Sequence, residues 1–316
     1  MNIVRMLSAR ILLSVLTLLL VSIMIFGIIE VLPGDVASRI LGRDATPEAL
    51  ALLREKLHLN DPAIWRYLRW LGGIAQGDFG DALTSSRPIA DIIAPRLFNT
   101  MLLSIYAFII YIPLALIPAL IQAAQRDRKT DHVISIVNLV FLSIPDFLFG
   151  TLLLVTFSVA IPLFPAVSML DDDYTVLQYI RAMTLPAVTL AIAMAIAAVR
   201  MLRDNLIEVL DSDYVRMAEL KGLPPRAVLL RHALPNALVP TLNVTAINLG
   251  YLIGGVVIVE KVFSYPGFGR LLVDSLQLRD VPLIEATVVI AAAVYVGANL
   301  LADLGSLLLN PRLRAG

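Results

Sequence analysis

The sequence predicts an all-α membrane protein with six transmembrane helices, and three observations carry that prediction. Of its 316 residues 59% are hydrophobic and 16% charged, with a mean hydropathy of +0.84; soluble chains average roughly 45–50% apolar and about 25% charged. Six apolar runs, about 11–32, 97–124, 133–161, 184–202, 239–259 and 281–308, match the ~20 residues that a helix needs to cross the hydrocarbon core. The cations are unevenly shared: residues 1–10, 125–132, 200–235 and 309–316 hold 2, 3, 6 and 2 Lys or Arg, against 1 and 3 in 162–183 and 260–283. Cations are retained on the cytoplasmic side, so both termini are placed inside; the insert 33–96 is left out of the count because loops beyond about 60 residues translocate largely regardless of charge.

Arg5 and Arg10 precede the first run, which outlasts the roughly 7–15 apolar residues of a signal peptide and reads as a retained span. Residues 33–96 form a large extracytoplasmic insert. In it Thr46 and Pro47 are placed as N-cap and first residue of a helix reaching Leu57. A second helix, to Gln76, holds Tyr67 and both tryptophans, Trp65 and Trp70. Such rings favour the headgroup level, which predicts an interfacial helix; the alternative is a soluble helix packed on its own loop. Gly77-Asp78-Phe79-Gly80 reads as a turn.

The second span carries Pro113 and Pro118, kinks that a membrane tolerates where neighbours satisfy the freed carbonyls. The third is broken at Ser143-Ile144-Pro145-Asp146-Phe147. An intramembrane acid such as Asp146 faces a cavity or partner by default, or else caps the restarted half-helix; Pro145 and Asp146 are candidate pathway residues. Asp171-Asp172-Asp173 lacks the glycine and terminal Glu of a calcium loop and reads as a solvated turn. The fourth span is free of charge until Arg200. In the fifth, Asn243 and Asn248 are packing residues first and pathway candidates second. The glycines and proline of Glu260–Arg270 rule out a continuous helix and place a tight turn on the outer side before the sixth span.

Between spans four and five lies a stretch too polar for a membrane, DYVRMAELKGLPPRAVLLRHALP, from Asp213 to Pro235. Asp211, Ser212 and Asp213 offer N-cap oxygens to a short helix from Tyr214 to Lys221, which Gly222 ends in the left-handed conformation. Pro225 opens a second helix. Spacings of three and four place Tyr214, Met217 and Ala218 on one face and turn Arg216 and Glu219 elsewhere. The result is a knob with an apolar side.

Gly222, nine residues, and then His232 followed by Leu234 and Pro235 resemble the E-A-A-x3-G-x9-I-x-L-P loop of ABC-importer permeases. Ala218 fits the second alanine, while Arg216, Met217 and His232 replace Glu, Ala and Ile. D-Y-V-R-x-A-x-x-K-G-L with R-H-A-L-x-N is similar to the dipeptide, oligopeptide and nickel branch. Glu260–Arg270 resembles that family's E-x-V-F-x-x-P-G-x-G-R stretch, and Pro33-Gly34-Asp35, the Tyr67–Gly73 and Gly77–Gly80 pieces and Asn310-Pro311-Arg312 extend the likeness over nearly the whole chain. The resemblance implies one permease domain over 1–316, in a bacterial-type inner membrane, moving di- or oligopeptides or a related small solute. It implies four kinds of contact: a second homologous permease, two cytoplasmic ATPase subunits, an extracytoplasmic binding protein and the bilayer. Asp213, Tyr214, Arg216, Met217, Ala218, Lys221, Gly222, His232, Leu234 and Pro235 are then the ATPase-docking set in the coupling loop 203–238. Pro266, Gly267, Gly269 and Arg270 are candidates for an outer gate or binding-protein contact.

The chain is not expected to be an enzyme or to hold a cofactor. It has no G-x4-G-K-[ST] cradle for phosphates and no H-E-x-x-H, so ATP and Mg belong to partner subunits. Zero net charge leaves no electrostatic footprint for nucleic acid, and zero cysteines exclude thiolate metal sites. An ion-coupled secondary transporter is the alternative, resting on Asp146 alone; a channel would need a selectivity ring that the sequence does not show.

Overall fold

The computed structural model describes residues 3–31, 46–56, 60–170 and 173–309; the side chains at 3–7, 53, 56, 242–244, 246–255 and 301–309 lie outside that description. Among the described residues every regular element is a helix, with one antiparallel bridge, Asp81 to Pro88. Among the described residues four helices are long and apolar enough to cross a bilayer: Ser8–Val31, Ile89–Ala124, Val176–Leu210 and Val281–Leu300. A fifth crossing results if the bent pair Lys129–Ser143 and Asp146–Ala160 is one broken span. The chain divides into two compact units, Met1–Asn99 with Arg270–Gly297 and Thr100–Gly269 with Ala298–Gly316.

In the first unit α1 (Ile3–Val31) is followed by α2 (Pro47–Lys56) and α3 (Ala63–Ala75). The Thr46 hydroxyl accepts from the Ala49 N–H at 3.3 Å and its carbonyl from Leu50 at 3.0 Å, the N-cap that the sequence predicts. α3 packs on α1 rather than on its own loop. Phe26 meets Tyr67 at 5.4 Å and Trp70 at 5.9 Å between ring centroids. The Ser22 and Tyr67 hydroxyls are 2.8 Å apart, and Arg66 pairs with Glu30. Trp65, on the far side of α3, is 61% exposed. Gly77 and Gly80 turn the chain at φ +80° and +73°, conformations that cost glycine little. Asp280, 1% exposed, accepts from the Thr84 N–H and hydroxyl at 2.9 and 2.8 Å and from the Leu283 N–H at 3.3 Å. One carboxylate thus holds the segment around Thr84, inside the insert, and caps the last helix.

The second unit is built on α4 (Ile89–Ala124, which begins in the first unit), α5 (Lys129–Ser143), α6 (Asp146–Leu154, extended by a π turn to Ala160) and α7 (Val176–Leu210). α4 and α7 are 36 and 35 residues long, longer than the apolar runs 97–124 and 184–202. Their ends lie in polar sequence fixed by local chemistry. Thr175 and Gln178 form a capping box that starts α7, the Gln178 side chain accepting from the Thr175 N–H at 2.8 Å. α4 runs without a break through Pro113 and Pro118.

On α4 the buried residues recur every fourth position, Leu103, Ala107, Tyr111, Ala115, Ala119 and Ala123, while Ile105, Ile109, Ile112, Ile117 and Ile121 are exposed. Small side chains allow close helix approach, and the isoleucines are suited to lipid. The stripe packs on Leu190, Met194, Ala198, Leu202 and Leu206 of α7. Of the apolar window of α7, 67% is buried, which makes it the central helix of this unit.

α5 and α6 meet at 101°. Ile144, forced out of helical geometry by Pro145, has φ −95° and ψ 123°. The break at Pro145 is therefore a sharp corner, with Asp146 half-buried in the first turn beyond it.

Candidate functional site

α8 (Asp213–Leu220) hangs from the end of α7. Gly222, at φ +81°, ends it as predicted: the Gly222 N–H donates to Glu219 O at 2.8 Å and the Leu223 N–H to Ala218 O at 3.4 Å, the paired bonds of a Schellman motif. Ser212 is the N-cap by position, without a side-chain cap bond.

The faces of α8 differ from the sequence-based assignment at one position. Val215 and Ala218 are buried, at 0% and 6% exposure, while Tyr214, Met217 and Leu220 are 56%, 55% and 79% exposed. Ala218 thus belongs to the inner face, because a helix of eight residues needs two small apolar side chains, three apart, to seat it on the chain beneath. The outward apolar face is Tyr214, Met217 and Leu220, with Asp213, Arg216 and Lys221 exposed around it.

Past Pro224 the chain does not form a separate second helix. α9 (Pro225–Ala227) continues through a π turn, Val228–Ala233, into α10 (Leu234–Val262). Pro235 has no N–H for the carbonyl four residues back, and the wider π register keeps the run helical there. The fifth long helix therefore begins well before 239, with His232, Leu234 and Pro235 at its root. The Tyr214 hydroxyl lies 2.9 Å from His232 Nδ1.

Two ion pairs fix the end of α7 from which α8 hangs. Arg203 donates from Nε and Nη2 to the two oxygens of Asp131 at 2.8 and 2.6 Å. Asp131 is 1% exposed and also accepts from Gln122 Nε2 at 3.0 Å and the Asp127 N–H at 3.1 Å. The other pair is exposed: Arg126 Nη1 reaches both oxygens of Asp211, at 3.0 and 2.8 Å. Sequence reasoning missed this anchor because Asp131, Gln122 and Arg203 lie on three different helices.

The second sequence-marked stretch closes α10. The Tyr265 N–H donates to Glu260 O at 2.9 Å and the Ser264 N–H to Lys261 O at 3.3 Å, with Ser264 at φ +52°. This is another Schellman turn, with serine in the glycine position. Glu260, 0% exposed, accepts from the Thr100 hydroxyl, which itself accepts from the Phe268 N–H at 2.8 Å. A Cβ on Gly267 would lie 2.0 Å from Glu260 Oε1, and one on Gly269 2.7 Å from Val257 Cα. Both glycines are buried; their absent side chains leave room for the carboxylate and for the helix backbone. Burial pushes the neighbouring Tyr265 phenol up from its ordinary value, and its hydroxyl donates to Met183 Sδ at 3.7 Å. α11 (Phe268–Leu278) follows, in which Arg270 pairs with Asp274 at 3.4 Å.

Gly267→Ala should therefore cost about 1 to 3 kcal/mol, the usual range for overpacking. The loss in the Glu260→Ala/Gly267→Ala double variant should be smaller than the sum of the single losses, because one change vacates the space that the other needs. Thermal unfolding in detergent measures both, and strict additivity would exclude the contact.

Of the pathway candidates, Pro145 is exposed and Asp146 half-buried; the side chains of Asn243 and Asn248, and Asp171 and Asp172, lie outside the described residues. Near those asparagines, Asn205 Nδ2 donates to Thr241 Oγ1 at 3.1 Å, and the Tyr111 and Thr245 hydroxyls are 2.9 Å apart. Asp146 is not the sole acid set in apolar helix. Glu260, and Glu285 at 8% exposure in α12 (Val281–Leu309), are buried more deeply; a Glu inside an apolar run is the signal that would have found them.

Comparison with known proteins gives the arrangement its setting. Residues 111–315 match the family described as "Binding-protein-dependent transport system inner membrane component", and residues 3–104 its N-terminal companion, "Binding-prot-dependent transport system membrane comp, N-term". The glutathione transport system permease proteins GsiC of Escherichia coli (strain K12) and Shigella dysenteriae serotype 1 (strain Sd197) are each 35% identical over 298 residues, 94% of this chain and 95% of the relative. That of Salmonella paratyphi A is 36% identical over the same shares. These relatives are transport permeases, not enzymes. The chain belongs to this family: it is a multi-pass inner-membrane permease subunit of an ABC importer.

Proposed function

We propose that this permease carries di- or oligopeptides, or a related small solute such as glutathione, through a passage shared with a second, homologous permease. Two cytoplasmic ATPase subunits hold the ATP and Mg, and an extracytoplasmic binding protein delivers the solute. The glutathione permeases among the relatives support a small-peptide substrate. The whole chain, 1–316, acts as one permease domain with six spans and both termini inside. Four spans are the long apolar helices and a fifth is the bent pair; α10, 29 residues long, supplies the remaining one.

The observation that carries the coupling role is the α8 face, where three large apolar side chains are exposed on a helix whose opposite side is seated on the chain. Lipid covers apolar side chains on spans; a polar hairpin rich in Arg and Lys needs a protein groove instead. We place Asp213, Tyr214, Arg216, Met217, Lys221, Gly222, His232, Leu234 and Pro235 at that ATPase contact, with Ala218 as its inner support. Pro145, Asp146, Asn243 and Asn248 are assigned to the pathway, and the turn bearing Pro266, Gly267, Gly269 and Arg270 to the outer gate or binding-protein side.

Isolation of the complex from native membranes tests the assignment. The second permease, two ATPases and a binding protein with a peptide-like solute are the expected companions. Ion-driven uptake by this subunit alone would overturn it in favour of a secondary transporter. Within the pathway, Asp146→Ala at normal expression should lower uptake by about tenfold, as the loss of one charge-assisted hydrogen bond would. Unchanged uptake would reduce Asp146 to a helix-end charge that complements the backbone dipole.

A further inference from the structure

We infer that His232 is a positioning residue of the coupling surface: its Nδ1 accepts a hydrogen bond from the Tyr214 hydroxyl and so fixes the phenol ring in the outward apolar face of α8. The inference rests on the docking role proposed above and names what sets the shape of the docked face.

Three features of the structure support it. Among the described residues, the bond at 2.9 Å is the one side-chain hydrogen bond made by any residue from Asp213 to Lys221. The two rings also touch, with centroids 5.8 Å apart and planes at 58°. Tyr214 is 56% exposed, and an exposed aromatic ring with no such bond would sample several rotamers. Second, the bond joins two segments with different attachments. Tyr214 belongs to the short helix seated through Val215 and Ala218, whereas His232 lies on the π turn that leads into α10, where its neighbour Ala233 is fully buried. A force on the Tyr214 ring thus has a direct route to the root of α10, besides the packing of α8 on the π turn and the path through Gly222 and the two prolines. Third, it is the ring nitrogen Nδ1 that faces the phenol hydroxyl, an atom that an apolar side chain at 232 would not supply. For Nδ1 to accept, the imidazole must be neutral with its proton on Nε2.

The test uses the complete reconstituted importer and reads ATP hydrolysed per solute imported, normalised to assembled complex. His232→Leu and Tyr214→Phe should each raise that ratio about three- to tenfold, the effect of one net hydrogen bond. The double variant should be no worse than either single one, because both remove the same bond. His232→Asn, which can place its side-chain oxygen near the former Nδ1, should restore most of the coupling; a merely space-filling role would not be rescued this way. A wild-type ratio in His232→Leu, or additive losses in the double variant, overturns the clamp. Met217→Glu separates this failure from that of the docking role. If it uncouples while His232→Leu does not, the clamp falls and the docking surface stands. If neither changes the ratio, both fall.

Discussion

Tyr214→Glu combined with Met217→Glu should abolish solute uptake while the subunit still inserts and assembles in the membrane. Both side chains are more than half exposed, and exposed substitutions usually change stability by no more than about 0.5 kcal/mol. Burying two such side chains in a partner groove contributes about 3 to 6 kcal/mol, a hundredfold or more in affinity at the ATPase contact. A carboxylate placed there without a partner adds its desolvation to the loss. Uptake and ATP hydrolysis measured together in reconstituted vesicles should show hydrolysis no longer tied to transport. Val215→Glu is the contrasting case. That side chain is fully buried, so the change should unseat α8 itself and reduce the amount of assembled subunit. Normal uptake in the double variant would exclude this face as the coupling surface.

Asp131→Ala should be the most destabilising single change around the end of α7 from which α8 hangs, by about 3 to 5 kcal/mol. The carboxylate is almost completely buried and receives four donors: two from Arg203, one from Gln122 and one from the Asp127 backbone. Its removal leaves the Arg203 guanidinium with the exposed Asp204 in place of a buried partner, while Gln122 keeps the Ser135 hydroxyl; stranding a buried charge costs more than the intact pair contributes. Asp131→Leu with Arg203→Met should recover much of the loss, because apolar groups of similar size need no partners. Arg126→Ala breaks a pair whose side chains are 46% and 61% exposed, and should cost no more than about 1 kcal/mol. Thermal unfolding of the purified subunit ranks the three variants, and an Asp131→Ala loss no larger than that of Arg126→Ala would exclude the anchor.

The sequence by itself determined the solvent of this protein and the places where its helices stop. Apolar runs near twenty residues require a bilayer, because unsatisfied backbone groups in lipid permit little besides helices. Single residues with restricted backbones act locally, so their effects were legible one at a time. Gly222 ends α8 in the left-handed region, Pro145 forces Ile144 out of the helix, and Thr46 caps α2. That Tyr214 and Met217 share a face also followed from helical spacing.

Only the tertiary structure decided what those elements rest on. Spacing along one helix cannot say which side meets the chain: it groups Ala218 with Tyr214 and Met217, whereas in the fold Ala218 is buried with Val215. The Asp131–Arg203–Gln122 anchor joins three helices, and Glu260 fills the space left by Gly267 seven positions away. Neither has a sequence period, because the first joins separate helices and the second is set by the close turn between Glu260 and Gly267. A charge inside an apolar helix marks where such a contact is needed; folding selects the partner, since each buried donor and acceptor must be matched in the same small volume.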